Sequence, residues 1–380
     1  MELVFVLTLV ACIVATGGLL AATPWLMRKD ECFAVTVPEG ARRDPRLVAF
    51  RRRYAAVVAA VTAASVAGFC AALAVFPGVF GSELGLVALV TLPTFAPVAV
   101  SFALMLHFRR RVQAVKRAEG WSAPRAQAVA VVAEDDLPRA LPLAWNLLYV
   151  PVVLGTVALG VALWPSIPDM VPMHADFAGN VNRWEPKSVG SVFFPVLVQL
   201  FMIACLVFCH WSILRSKRPA SPGAPVTSAL AYGLFARAES VLLLVSGLII
   251  TVALGVSFML SAVGAITLGG AAVVIVVAVA PILVGSVAIS VVYGQAGSRL
   301  FRRMEDAGAA GPGAVMPADD DAHWKLGIFY VNRDDASLFV PERFGIGWTL
   351  NLGRPGAWAV IAGFVAVTAL FLVLVFVAVG

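Results

Sequence analysis

The chain has 380 residues, 61% of them hydrophobic and 13% charged, with a formal net charge of +6. A charged share about half that of a soluble domain excludes a disordered chain, a collagen-like chain and a small disulfide scaffold. It also argues against a soluble enzyme with one large core, because such a core still needs a charged surface, so the positions of the charges matter more than their sum.

A bilayer core about 30 Å thick needs roughly 20 apolar residues per helix. Eight segments meet that length, at about 3–26, 55–76, 84–107, 143–164, 191–213, 240–262, 268–293 and 357–379. The first is expected to be a retained helix and not a cleaved signal peptide. Glu2 is the only charge before Arg28, and the basic residues follow the apolar run instead of preceding it. Pro93 and Pro97 predict a break in the third segment, and Pro195 and Pro281 lie inside two others. Gln199 is expected to hydrogen-bond across helices, and Gly17-Gly18 and Gly269-Gly270 read as helix-packing sites.

The loops fix an orientation. Residues 27–54, 108–142, 214–239 and 294–356 hold 26 of the 28 basic residues, and eight helices place these four loops on one side. Only Arg183 and Lys187 fall on the other side. Basic residues stay in the cytoplasm, so both termini are expected outside. The acids follow more weakly: Glu2, Glu83, Asp169, Asp176 and Glu185 face out, and the other 17 face in. The expected fold is an all-α integral membrane protein of about eight transmembrane helices, N-out and C-out, with the bilayer as its first partner. The basic inner face is a record of topology, reinforced by anionic lipids, and calls for no nucleic acid.

The expected units are a three-helix region (1–142), a helix-loop-helix unit (143–214), a two-helix region (215–293), a cytoplasmic segment (294–356) and a last helix (357–380). No Asp, Glu, Lys or Arg falls at a predicted midplane, which weakens a proton-coupled transporter. The five cysteines, Cys12, Cys32, Cys70, Cys205 and Cys209, have no disulfide, haem or zinc spacing. No nucleotide-binding, hydrolase or metalloprotease motif appears in a credible context, so no enzyme, catalytic residue, metal or cofactor is expected.

Two loops are too elaborate to be tethers. The outer loop 165–190 carries Pro165, Pro168, Pro172 and Pro186, which stiffen it, and an Ala178-Gly179-Asn180 turn. Its candidate contact residues are His174, Asp176, Phe177, Gly179, Asn180, Arg183, Trp184 and Lys187. His174 with Asp176 and Glu185 falls short of a zinc set, so a histidine bonded into a folded loop is the plainer expectation. Trp184 and Arg183 are the types favoured as binding anchors, while Trp184 and Lys187 could equally anchor at the membrane interface.

The inner loop 294–356 opens with a Gly- and Pro-rich stretch at 305–322, ending in Asp319-Asp320-Asp321, which reads as a flexible acidic linker. The polar and aromatic positions that follow are Trp324, Gly327, Tyr330, Asn332, Asp335, Val340, Gly345, Gly347, Trp348 and Asn351. Strands are expected at 328–331 and at 338–340, the second stopped by Pro341, with Gly345-Ile346-Gly347 bending the chain before Trp348. The result should be a small hairpin-like element against the inner membrane face or the last helix.

Ile167, Pro168, Pro172, His174, Phe177, Gly179, Asn180, Trp184, Lys187 and Pro195, over about 155–200, resemble domain of unknown function 1648. That domain occurs in Sdp-type immunity proteins and related bacterial multi-span proteins. The family usually places an aromatic directly after the histidine, where this chain has Ala175. The stretch from Trp324 to Asn351 resembles domain of unknown function 5808, which often follows the first domain in one chain. The resemblance implies a bacterial plasma-membrane protein of the immunity or signal-relay kind. It would sense or neutralise an extracellular peptide or toxin at loop 165–190 and engage a cytoplasmic regulator inside. The alternative expectation is a secondary transporter or permease.

Overall fold

A computed structural model describes residues 2–76, 83–122, 137–176, 180–219, 221, 223–305 and 319–379. The described chain is mostly helical, and eight of its helices are long and apolar enough to cross a membrane. In chain order the helices are α1 (Glu2–Leu26), α2 (Pro45–Val75), α3 (Glu83–Ala118), α4 (Tyr149–Leu163), α5 (Val189–Arg215), α6 (Pro225–Ala262), α7 (Leu268–Tyr293), the short α8 (Ser298–Met304) and α9 (Pro355–Val379). A 3-10 turn, Leu143–Leu148, leads into α4. This architecture fits a multi-pass membrane protein.

Three helices run well past their apolar segments. α2 starts ten residues before residue 55, α3 ends at Ala118 instead of 107, and α6 starts at Pro225 instead of 240. Hydropathy stops at the first charges, but the backbone ladder does not, and Arg, Lys and Glu are good helix formers. Starts are set by local chemistry. Asp44 accepts from the Arg46 amide with Pro45 in the first turn of α2, and Ser188 and Ser191 form a reciprocal cap on α5. α1 ends where Ser298 Oγ and Arg302 of α8 donate to the carbonyls of Leu26, Met27 and Trp25, each at 2.9 Å. Pro93 and Pro97 lie within a single α3.

α1 packs on α2 and α7, α2 on α3, α6 on α4, α5 and α7, and α9 on α5. Gly17 meets Thr62 so closely that an added Cβ would lie 2.1 Å from its hydroxyl, whereas Gly18 faces open space. Fully buried Gln199 joins three helices as expected, donating to Thr156 Oγ1 of α4 (2.9 Å) and Thr251 O of α6 (2.7 Å). Fully buried His210 of α5 is held between Asn146 Nδ2 (2.9 Å) and Leu141 O (2.7 Å). The amide can only donate, so the ring accepts at Nδ1 and donates from Nε2, the neutral form.

Four two-stranded antiparallel ladders complete the fold: β1 (Glu31–Cys32) with β2 (Val35–Thr36), β3 (Met170–Ala175) with β4 (Val181–Pro186), β5 (Trp324–Lys325) with β6 (Phe329–Tyr330), and β7 (Phe339–Pro341) with β8 (Trp348–Leu350). β3–β4 packs where α6 ends, through Val171, Val192 and Ala262. β8 packs near the start of α6, where Trp348 meets Phe235. α6 is 38 residues and so about 57 Å long, which puts these ladders at opposite ends of the bundle.

Three expectations change. The second strand runs one residue later than expected, with Pro341 as the last residue of β7, paired with Trp348. Asp319, Asp320 and Asp321 are not linker but partners of buried cations, and the rest of the expected linker, 306–318, lies outside the described residues. The break expected at Pro93 and Pro97 does not divide α3, which runs through both, while the 27–54 loop, read from the sequence only as a run of basic residues, holds a buried hairpin.

Candidate functional site

Two polar elements, one at each end of the bundle, hold the residues singled out in the sequence. At the first, β3 and β4 pair from Met170↔Pro186 to Ala175↔Val181, with register shifts around His174. Alternation sends Val171 and Met173 onto the ends of α5 and α6, with Ile167 and Val192. His174 Nδ1 lies 2.5 Å from Asn182 Oδ1 across the strands, so this nitrogen carries the proton. Asp176 accepts from the Asn180 amide (2.8 Å) and from Asn180 Nδ2 (3.1 Å), closing the turn. Phe177 and Gly179 lie outside the described residues.

Lys187 has a structural position. Its ammonium donates to Ile167 O at 2.9 Å and stands 5.2 Å from the Trp164 ring centre, clipping the hairpin base to the end of α4. Arg183 pairs with Glu185 at 2.8 Å, two residues along β4 and so on the face opposite to Trp184. Trp184, opposite Pro172, remains 50% exposed. The described members of the predicted set therefore fall in one hairpin, where His174, Asn180, Arg183 and Trp184 are exposed.

At the other end, the β5–β8 strands form one module, joined by the Tyr330↔Asn351 bridge. Trp324, Tyr330 and Val340 are its small buried core. Asn351, fully buried, sets the loop between the ladders: Nδ2 reaches the carbonyls of Asn332 (2.8 Å), Asp335 (3.0 Å) and Ser337 (3.2 Å), and Oδ1 accepts from the amides of Asn332 (3.0 Å) and Gly353 (3.1 Å). Tyr330 donates to Asp335 at 3.0 Å, and Asp335 pairs with Lys217 at the end of α5 at 2.7 Å. Gly345 and Gly347 have φ of +127° and +146°, open only to glycine at low cost, and make the bend that brings Trp348 back beside Pro341.

The residues missed in the sequence join this module to the helices. Arg343 is 2% exposed. It pairs with Asp320 and Asp321, donates to Thr36 Oγ1 at 2.9 Å and to Ala34 O at 3.2 Å, and stacks over Trp324. Its Nε lies 3.5 Å from Glu31. Lys116, at the end of α3, pairs with Asp319 (2.8 Å) and Asp321 (2.7 Å), and Arg109 donates to Ala34 O and Trp324 O. Ala34 is the second residue of a two-residue turn in which both Phe33 (φ 48°) and Ala34 (φ 56°) are left-handed, a turn that usually takes Asn-Gly. Phe33 compensates by packing among Tyr54, Phe108 and Phe344. Gln295, in the turn between α7 and α8, grips the β7–β8 bend through Glu342 O, Gly347 O and the Gly347 amide, at 2.9–3.0 Å.

Ionisation follows from this packing. Burial works against a charged Asp321, but the Arg343 guanidinium and hydrogen bonds from Lys116 and the Thr36 amide outweigh it and hold the carboxyl at about 2. Asp335 is likewise buried, yet held at about 2 by Lys217 and the Ser337 amide. Both lie below the unfolded value of 3.8, so their stabilisation is complete above about pH 4 and is lost as pH falls through about 2. Glu31 runs the other way: burial, opposed by Arg28 and Arg343, raises it to about 7. Its neutral form is favoured in the fold, and that contribution fades as pH rises through about 7. The module and the first loop that it grips should thus be most stable near pH 4 to 5. Hydrogen exchange across pH on solubilised protein checks this, with the Thr36 and Ser337 amides expected to lose protection first on the acid side.

Residues 152–198 match the family model for the domain of unknown function DUF1648, and residues 333–358 match the family of unknown function DUF5808. The first match spans most of α4, the β3–β4 hairpin and the start of α5. The second starts at Arg333, so Trp324, Gly327, Tyr330 and Asn332 precede it. No curated protein and no solved structure matches the chain. The chain is therefore a mostly helical protein with eight potential membrane spans, similar to DUF1648 over 152–198 and to DUF5808 over 333–358.

Proposed function

We propose that the protein sits in the bacterial plasma membrane with both termini and the β3–β4 hairpin outside, and acts in immunity or signal relay. The hairpin contacts an extracellular peptide or toxin, and the β5–β8 module presents the response to a cytoplasmic regulator. The observation that carries this reading is the surface of Trp184 and Arg183. Lys187, the His174–Asn182 pair and Asp176 tie down the described part of the hairpin, which displays an exposed tryptophan beside the Arg183–Glu185 pair.

α5 offers a direct mechanical link. It begins at Val189, at the foot of β4, and ends where the Lys217 amide donates to Phe339 O (2.8 Å) and Lys217 Nζ pairs with Asp335. Its 27 residues span about 40 Å, so a shift of the hairpin base has one stiff helix through which to reach β7. Replacing Arg183 and Trp184 together with alanine is expected to abolish protection of cells challenged with a membrane-active peptide. The melting temperature should change little, because both side chains are exposed on the hairpin. Full protection by the double variant would reject the hairpin as the contact surface.

A further inference from the structure

Away from the hairpin, a cavity of about 880 Å³ lies between α5, α6, α7 and α9, with the β6–β8 strands as one wall. Its sides are apolar: Leu206 of α5, Leu242 and Ile250 of α6, Ile282 of α7 and Ile361 of α9. Trp358, 59% exposed, and Phe329, 45% exposed, stand on its rim and leave it open sideways. The volume is that of a small-molecule site, and the DUF5808 match supplies Phe339, Trp348 to Leu350, Leu352 and Trp358 to its lining.

One lining side chain is charged. Glu239 of α6 lines this largely apolar space, and no described residue gives its carboxylate a hydrogen bond or an ion pair. Asp320, Asp321 and Asp335, by contrast, are each matched by a cation. An isolated carboxylate in an apolar setting is costly, and a cation paired with it offsets part of that cost. From Glu239 to Ile250 the cavity follows α6 for about 16 Å, room for an extended hydrocarbon chain.

We propose that this cavity binds a membrane-soluble amphiphile with a single protonated amine, its ammonium paired with Glu239 and its chain lying along α6 toward Ile250. The apolar walls contribute affinity for each buried methylene, and Glu239 selects the head group. Charge complementarity sets the occupant: an anionic head would meet a carboxylate, and a neutral one would leave that carboxylate unpaired.

The test uses the full-length protein in phosphatidylcholine nanodiscs and a dodecylamine carrying a photoreactive diazirine on its chain. Cross-links are expected on the α6, α7 and α9 segments that line the cavity. Dodecylamine should compete about tenfold or more better than dodecanol or dodecanoate, the worth of one charge-assisted hydrogen bond. Glu239→Gln should remove that preference while retaining the wild-type melting temperature. Leu242→Trp, which fills the space and keeps Glu239, should abolish labelling. Equal competition by all three head groups, or an unchanged amine preference in Glu239→Gln, would show a cavity that takes lipid chains regardless of charge and would overturn the proposal. Labelling outside the lining segments would overturn it equally.

Discussion

Replacing Arg343 with methionine should destabilise the basic end of the protein by about 3–5 kcal/mol, the usual cost of removing one partner from a buried ion cluster. The methionine fills a similar volume, so the loss is electrostatic. Asp320 and Asp321 lose their shared cation, and Ala34 O and Thr36 Oγ1 lose a donor. Arg343→Lys should recover only part of this, because a point-charge ammonium cannot reach both carboxylates and both oxygens as a planar fork does. Hydrogen exchange gives the readout. The β1–β2 hairpin should lose protection in Arg343→Met, whereas the α4–α5–α6 junction around Gln199 stays protected. Unchanged exchange at Thr36 would mean that the cluster does not hold the module to the first loop.

The second large effect is expected at Asn351. Substitution by alanine leaves the carbonyls of Asn332, Asp335 and Ser337 and the amides of Asn332 and Gly353 without their partner. Each unpaired buried group costs about 1–3 kcal/mol, and water entering a loosened loop recovers part of the total. A net loss of at least about 3 kcal/mol is expected. Asn351→Asp separates the two halves of the interaction: it keeps the acceptor for the two amides but sets a carboxylate against three carbonyls. It should therefore be nearly as damaging. A thermal melt monitored by tryptophan fluorescence checks both variants.

The spans were legible because a helix able to cross a bilayer needs a long apolar run, and the eight apolar runs fall in eight long helices. The hairpin was legible in its residues but not in their roles. Lys187 reads as a snorkelling lysine, and only the strand pairing reveals it as a clip onto Ile167 and Trp164. The helix extensions were hidden because hydropathy reports the solvent while the helix follows backbone propensity. The Phe33-Ala34 turn has no turn chemistry at all; its strain is offset by tertiary packing that no local pattern records. Arg343 counted as one basic residue among the seven of its loop. Its acids, Asp320 and Asp321, were legible as charges but not as partners, since pairing across two ladders and the first loop depends on the fold.

The central claim is that the hairpin and the module face opposite sides of a membrane, with the hairpin outside. Single cysteines at exposed Asn182 and Asp334, in a chain whose five native cysteines are replaced by alanine, test it directly with a membrane-impermeant maleimide. Asn182→Cys is expected to label in intact cells, and Asp334→Cys only after the cells are permeabilised. Labelling of Asp334→Cys in intact cells, or protection of Asn182→Cys there, would contradict the account.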